Sequence, residues 1–292
     1  MASSVGNPMM TGAAVAQING VYVPVTTSLA PDTIPKALAS SLFVDWVASL
    51  ESAFVVSSVE IQSIDFFGPR VGFLKILVAA TCHGKPVPGV IFLRGGAVAI
   101  LPLLICRGER WVVCTRQPRI ASGVSNFLEI PAGMLDGSGR FTSVAATEMR
   151  EETGIEIQAS ELQDLTALAY EGGTPHSGTQ VSPFSSKKAH APGVFPSVGA
   201  CDEFIRLMLY TREVDEEYLA QLRGRLTGNA EEHENITVQL FRYEDVWRAA
   251  PDMKTLSAMF LYQKLSEEGC LTPHLSTRPL AVTKNEALLG LN

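Results

Sequence analysis

The sequence predicts an α/β fold in which strands and helices are mixed along the chain. Strand-like runs of apolar residues occur at residues 54–61, 71–80 and 205–209. Residues 35–50 instead carry apolar side chains at helical spacing, which predicts a helix with one buried face. A hydrophobic fraction of 46% and a mean hydropathy of +0.17 provide ample material for a core. The 292 residues are enough for one large domain or for one domain with an extension.

The first ninety residues are predicted to form a leader and an extension. Residues 1–20 are small and polar without a basic segment, which indicates a disordered leader and not a signal peptide. Residues 21–90 contain an extended piece, the helix and the two strands, and form the N-terminal extension. A turn rich in Gly and Pro then leads into further apolar strands.

The remaining chain is predicted to be one domain, residues 91–268, followed by a tail without clear order at residues 269–292. Residues 162–169 are predicted to be a strand. Residues 171–199, rich in Gly, Ser, Pro and His, are longer than an ordinary connection and are interpreted as an insertion that can serve as a lid. The last helix is predicted to bury one face in the core, and that face is formed by Leu256, Met259 and Phe260.

Charge and cysteine content narrow the classes of function. A net charge of -7 and a pI near 5.3 argue against a nucleic-acid-binding surface. The five cysteines are scattered without CxxC spacing, so neither a zinc site nor a disulfide framework is expected, and a reducing, cytosolic location follows. The longest uncharged apolar run, residues 95–106, is too short to span a bilayer, and no membrane partner is predicted.

An acidic helix after residue 140 is the strongest chemical signal. Glu148, Glu151 and Glu152 stand at i, i+3 and i+4, which places three carboxylates on one helix face. Like charges at this spacing repel one another, and a bound cation reverses the sign of that effect. Oxygen ligands without nearby His or Cys suit Mg²⁺ or Mn²⁺. The alternative is a solvated acidic helix without a site.

The segment EIPAGMLDGSGRFTSVAATEMREETGI, residues 129–155, resembles the Nudix box, Gx5Ex7REUxEExGU, where U is a bulky apolar residue. Gly133 opens the pattern, and Glu148 to Ile155 match its second half. Two positions depart from it: Gly139 replaces the first Glu, and Thr147 replaces the Arg that braces the glutamates. The metal-ligand part of the box is thus present and a bracing part is missing.

This resemblance implies a fold and a metal site. Nudix proteins have an α/β/α sandwich with a mixed sheet, expected here within residues 91–268. Glu148 and Glu152 are expected to hold one or two Mg²⁺ or Mn²⁺ ions, with Glu151 on a second ion or acting through water. The backbone carbonyl of Ala132 is a further ligand in relatives.

Three other motifs resemble the ADP-sugar and ADP-ribose diphosphatase branch of the family. LEIPAG precedes the box, and the strand before it ends near Arg119, which matches an Arg that faces substrate phosphates. FPSVGACDE contains Glu203, which matches a Glu supporting the site. NAEEHENITV resembles a catalytic loop, so Glu232 and Glu234 are candidates to serve the attacking water. The alternatives are a solvated surface Arg and a solvated acidic turn.

The resemblance therefore implies hydrolysis of a nucleotide-sugar diphosphate to AMP and a sugar phosphate. It also implies a homodimer built by residues 21–90. If neither loop glutamate matters, Glu151 becomes the first candidate base. A Nudix-fold binding module that has lost turnover would explain Gly139 and Thr147. A structural partner protein and an RNA-decapping enzyme are less consistent with the acidic motifs and the acidic charge balance.

Overall fold

The computed structural model describes residues 12–135, 141–171, 193–229 and 234–272. These residues divide into two units that are described separately below. The first unit contains residues 12–96 and 195–204, and the second contains residues 97–135, 141–171, 193–194, 205–229 and 234–272. The predicted domain boundary between residues 90 and 91 falls inside a strand of the first unit. This part of the first unit extends to residue 96.

The first unit is a six-stranded mixed sheet with two short helices. Its strands are β1 Gly12–Ile18, β2 Val21–Thr27, β3 Phe54–Phe67, β4 Arg70–Cys82, β5 Lys85–Val87 and β6 Val90–Leu93. Its helices are α1 Thr33–Leu38 and α2 Ser41–Ser49. The sheet order is β1-β2-β3-β4-β5, with β6 also paired to β4, and only β2 and β3 run parallel. The core lies between one face of this sheet and the two helices.

The predicted disordered leader is wrong for residues 12–18, which form β1. This strand pairs with β2 through the two-residue turn Asn19–Gly20, where φ is 49° and 81°. Positive φ at both positions is the geometry that Asn-Gly favours and that matches the twist of a hairpin. The Asn19 amide also donates hydrogen bonds to the carbonyls of Glu51 and Phe54. Residues 1–11 lie outside the described part of the chain.

The helix predicted at residues 35–50 is two helices. α1 ends at Leu38, and Ser40 takes an extended conformation and caps α2 by accepting a hydrogen bond from the Phe43 N–H. A serine at this position satisfies a backbone donor that the new helix leaves open. Phe43 and Trp46 carry the buried face of α2, as the spacing predicted.

The second unit contains an eight-stranded mixed sheet. Its strands are β7 Ala97–Cys106, β8 Glu109–Arg119, β9 Val124–Glu129, β10 Ala132–Met134, β11 Leu162–Asp164, β12 Ile205–Glu213, β13 Leu226–Thr227 and β14 Ile236–Arg242. The order is β11-β12-β7-β8-β14-β13, with β10 paired to β7 and β9 paired to β8. Only β12 and β7 are parallel. Its helices are α3 Phe141–Glu148, α4 Leu165–Tyr170, α5 Glu216–Leu222, α6 Tyr243–Ala249 and α7 Met253–Glu267.

Helices cover both faces of this sheet. Along β7, Ala99 and Leu101 face a core that includes α4, α6 and α7, whereas Val98 and Ile100 face a core that includes α3 and α5. Burial on both faces explains why β7 is a continuous apolar run without the polar alternation of a half-exposed strand. The α/β/α sandwich with a mixed sheet is therefore confirmed.

Two predictions about local structure in this unit are wrong. Residues 162–169 are not one strand, because Asp164 accepts a hydrogen bond from the Ala167 N–H and starts α4. On α7, Met259 is buried, but Leu256 and Phe260 are 41% and 60% exposed. The buried positions of α7 are Thr255, Ala258, Met259, Leu261 and Leu265.

Parts of two predicted segments lie outside the described residues. These are residues 172–192 of the insertion and residues 273–292 of the tail. Among the residues that are described, no helix is long and apolar enough to cross a membrane.

We expect Gly20→Ala to destabilise the protein by about 1 kcal/mol, because a Cβ is disfavoured at φ 81°. Urea unfolding followed by circular dichroism measures the change. Gly199→Ala is the matched control, since Gly199 also has open space around it but no positive φ. Equal effects of the two substitutions would contradict the importance of the Asn19–Gly20 turn.

Candidate functional site

The box helix changes pitch before it ends. α3 stops at Glu148, and Met149–Thr153 continue as a π-helical turn that closes at Gly154 with φ 73°. A π-helical turn holds more residues than an α-helical turn, and such turns are frequent at functional sites. Ala145 and Met149 anchor the inner side in the core.

Glu152 is buried where the box helix meets strands β8 and β10. Its side chain accepts a hydrogen bond from the Ala132 N–H at 3.2 Å and lies 3.4 Å from the Gln117 amide nitrogen. Glu152 is 2% exposed. β10 and β8 supply these donors, so two strands of the sheet hold the carboxylate.

Glu148 packs directly on Gly133, the first residue of the box. A Cβ added at position 133 would overlap the Glu148 carboxyl group. Gly133 lies in β10, which pairs with β7 at Val98. The glycine is therefore required by a close approach between helix and strand, and no positive φ is involved.

Glu151 has a different environment from Glu152. Its side chain is 35% exposed and pairs with Arg150 at 3.1 Å. Glu152 is by contrast 2% exposed, and the metal-binding and catalytic roles of Glu151 stay predictions. The Arg150 contact gives Glu151 an ion pair although the box Arg is replaced by the exposed Thr147.

The start of the later acidic loop is fastened to the box backbone. The Thr227 hydroxyl donates to the Glu152 carbonyl at 2.5 Å, and the Gly228 N–H donates to the Glu151 carbonyl at 3.0 Å. The two ends of the loop also bond to each other, because the Glu234 N–H donates to Asn229 and the Glu234 carboxylate accepts from it. Glu234 precedes β14, so the strand begins only after this residue.

Four carboxylates form what we call the acid pocket: Glu129, Glu148, Glu152 and Glu234. Burial raises the pKa of Glu152 well above its usual range, and the charges of Glu148, Glu129 and Glu234 add to this. The hydrogen bond from the Ala132 N–H acts in the opposite direction. Negative charge thus accumulates around a buried carboxyl group, an arrangement that a cation stabilises.

Glu129 and Lys254 are functional candidates that sequence reasoning missed. One oxygen of Glu129 lies 2.6 Å from the Arg119 Nε, and the other lies 2.7 Å from the Lys254 Nζ. Burial alone would lower the pKa of Lys254, but the charges of Glu129 and Asp252 raise it above its ordinary value. The available signal was a charged residue at the end of an otherwise apolar strand segment, FLEIPAG.

The remaining predicted residues are placed as follows. Glu203 lies in the first unit, where it pairs with Arg94 at 3.3 Å. Its assignment as a substrate-binding residue stays a prediction. Glu232 lies outside the described residues, as does Gly139. Within the described ranges, no three His, Cys, Asp or Glu side chains form a ready-made metal site.

A cavity of about 610 Å³ lies elsewhere in the second unit, at the turn between β7 and β8. It is lined by Trp111, Leu219 and several charged side chains that include Arg107 and Glu216. Arg107 and Glu216 already pair with each other at 2.7 Å. The acid pocket is near the opposite end of β7, so we place the functional site there and not in this cavity.

We expect the metal-free protein to lose stability as pH rises from 5 to 8. A carboxyl group with a raised pKa keeps its proton in the folded state after the unfolded chain has released it, above the usual Glu pKa of about 4.3. Ionisation then favours unfolding, and Glu152→Gln removes this contribution. Urea unfolding in a chelator should show a weaker pH dependence for Glu152→Gln than for the wild type.

Glu156→Gln is the matched control for that measurement, because Glu156 is exposed and lies just beyond the same turn. If Glu156→Gln flattens the pH dependence as much as Glu152→Gln does, the raised pKa of Glu152 is not its source.

Comparison with known proteins adds the family. No protein-family model matches the chain. The chain is 36% identical over 263 residues to "Nudix hydrolase 14, chloroplastic" of Arabidopsis thaliana, covering 86% of this chain and 79% of that protein. Among solved structures, an ADP compounds hydrolase aligns with a TM-score of 0.47 at 15% identity, over 76% of this chain and 99% of that chain. We draw no conclusion from a structural similarity at this level.

The similarity to the plant protein extends over most of both chains. It shows that the chain belongs to the Nudix hydrolase family.

Proposed function

We propose that the protein is a divalent-metal-dependent hydrolase of nucleoside diphosphate sugars of the ADP-ribose or ADP-glucose type. The products would be AMP and a sugar phosphate. The observation that carries the proposal is the buried Glu152 carboxyl group, which faces the charges of three further carboxylates. Such a pocket is costly unless a cation completes it.

The donor atoms of the acid pocket have the chemistry that a hard divalent cation prefers, although the described side chains are not already arranged as a metal site. They offer carboxylate oxygens without His or Cys, which favours Mg²⁺ or Mn²⁺. Glu148 and Glu152 would hold the ion, with the Ala132 carbonyl and Glu151 as further ligands. When bound, the ion supplies charge neutralisation at the diphosphate and lowers the pKa of the attacking water.

The chain's own residues would position the reactants. Arg119 would bind phosphate oxygens, since a guanidinium matches their geometry and its side chain is 43% exposed. Water attacks one phosphorus, the bridging P–O bond breaks, and the proton of the water goes to a carboxylate. Glu232 or Glu234 would accept that proton, because the loop carrying them is fastened to the box.

The substrate class rests on sequence motifs. LEIPAG and FPSVGACDE resemble segments of ADP-sugar and ADP-ribose diphosphatases. The acidic net charge of -7 is consistent with a small-molecule substrate and disfavours nucleic acid. A homodimer and a cytosolic location belong to the same proposal, and the name of the plant relative places that relative in the chloroplast.

A Nudix-fold binding module without turnover is the second candidate. Thr147 is exposed on α3 where the box has an Arg. Arg150 forms an ion pair with Glu151, whereas the hydrogen bonds to the Glu152 carboxylate come from Gln117 and Ala132. This candidate predicts nucleotide binding without release of products.

A hydrolysis screen tests the proposal and separates the two candidates. ADP-ribose, ADP-glucose, other nucleotide sugars, dinucleoside polyphosphates and capped RNA are each incubated with Mg²⁺, Mn²⁺ or a chelator. We expect metal-dependent release of AMP from an ADP-sugar, and a decrease in kcat of roughly two orders of magnitude in Glu152→Gln. Nucleotide binding without hydrolysis would support the binding module, and Glu152→Gln with near wild-type kcat would contradict the metal assignment.

We expect Glu232→Gln to slow hydrolysis strongly with little change in substrate affinity, because a group that serves the water acts mainly in the transition state. Steady-state kinetics on the substrate found in the screen measure both quantities. Glu231→Gln is the adjacent control and should have little effect. A slow Glu231 variant would mean that the catalytic-loop alignment is out of register, and normal rates for Glu232→Gln and Glu234→Gln would turn attention to Glu151.

A further inference from the structure

Glu129 is held by two cations that belong to different parts of the fold. Arg119 comes from the end of β8 and Lys254 from the first turn of α7, and each binds a separate carboxylate oxygen of Glu129. The Glu129 side chain is only 3% exposed. Because both oxygens carry an ion pair, Glu129 is not free to act as a metal ligand in this arrangement.

Lys254 occupies a position that local helix chemistry disfavours. A cation in the first turn of a helix opposes the helix dipole, and burial of its ammonium group adds a desolvation cost. Its side chain is 17% exposed and also contacts Asp252, the residue that caps α7 through Thr255. The Thr255 hydroxyl in turn accepts a hydrogen bond from the Ile130 N–H. Lys254 therefore ties the start of α7 to the strand segment that leads into the box.

We propose that Lys254 is a positioning residue that holds Glu129 so that the Arg119 guanidinium is fixed at the edge of the acid pocket. This inference rests on the proposed function, in which Arg119 binds the substrate's phosphates. Lys254 itself need not touch the substrate.

The charges of the pocket explain why Glu129 needs this second cation. Glu129 interacts unfavourably with Glu152, as the raised pKa of Glu152 shows. Without Lys254, one oxygen of Glu129 would lose its counter-charge, and repulsion from Glu152 would move the carboxylate. Arg119, which is 43% exposed, would then lose its fixed partner and regain rotamer freedom. A side chain that must lose rotamer freedom when it binds the substrate's phosphate gives weaker substrate binding.

The test compares Lys254→Met with Lys254→Arg and with the control Lys264→Met. Lys264 lies on the same helix but forms an exposed pair with Glu267. On an ADP-sugar substrate we expect Lys254→Met to raise KM about tenfold with kcat within about threefold, and Lys254→Arg to recover most of the loss. Combining Lys254→Met with Arg119→Met should raise KM no further than Arg119→Met alone, because both act through the same contact.

A second measurement reports on Arg119 without any substrate. In the metal-free protein, the NMR signal of the Arg119 Nε–H is assigned by its loss in Arg119→Lys. We expect this signal to be protected from solvent exchange in the wild type and in Lys264→Met, and to broaden or shift in Lys254→Met. An unchanged signal in Lys254→Met overturns the proposal.

Two further outcomes keep the test decisive. If Lys254→Met does not fold, Glu129→Gln combined with Lys254→Met removes both charges of the pair, and Arg119 should again be loose. A folded double variant with wild-type KM and a wild-type Arg119 signal overturns the proposal. If the wild type hydrolyses none of the substrates, the proposed function fails, whereas the NMR comparison still decides whether Lys254 positions Arg119.

Discussion

The buried carboxyl group of Glu152 is the constraint on which the second unit depends. Placing it beside Glu148, Glu129 and Glu234 raises its pKa and opposes folding wherever the group must ionise. Several parts of the fold are arranged to hold it in spite of this cost. The Ala132 N–H and the Gln117 amide lie against its oxygens, and the Thr227 hydroxyl binds its carbonyl. A carboxyl group is thus buried beside other carboxylates, which is unfavourable for folding. Proteins commonly retain such unfavourable placements where they bind or act on a ligand.

The sheet makes this arrangement possible because it is covered on both faces. β7 is buried on both sides, so its position is fixed by two cores at once. β10 pairs with the first part of β7 and brings Gly133 under Glu148. β8 contributes Gln117 and Arg119 from the same sheet. The sheet therefore carries the groups around Glu152, while the start of the acidic loop is bonded to the box backbone and the end of the loop is bonded to its start.

The resemblance to the Nudix box implied the sandwich, whereas the individual strands and the acidic helix left short-range patterns of their own. The continuous apolar run of β7 and the alternation in β12 come from burial, which periodicity reports directly. Helix α4 was missed because six residues are too few to show a helical period, even though Leu and Ala in LTALAY favour a helix and Asp164 caps its start. β1 was missed although Asn19–Gly20 is a strong hairpin signal, since its strand residues are small and weakly apolar.

The long-range parts of the site leave no such pattern. Glu129 and Lys254 are 125 residues apart, and no local rule pairs them. The glutamate spacing likewise does not reveal that Glu151 is more exposed than Glu152. Arg119 was found through the family resemblance, but its partner Glu129 was visible only once β8 and β9 were paired.

The π-helical turn at Met149–Thr153 also has a consequence for how this region tolerates changes of length. Removing one residue from the turn would let the helix continue with α-helical pitch, and each residue of an α-helix corresponds to a rotation of about 100°. Glu152 would swing away from Ala132 and Gln117 even though every glutamate was still present in the sequence. Substitutions that keep the length preserve the register of the turn. Deletion of a single residue there would therefore be far more damaging than a substitution that keeps the length. Alignments of related chains should have no gaps across this segment.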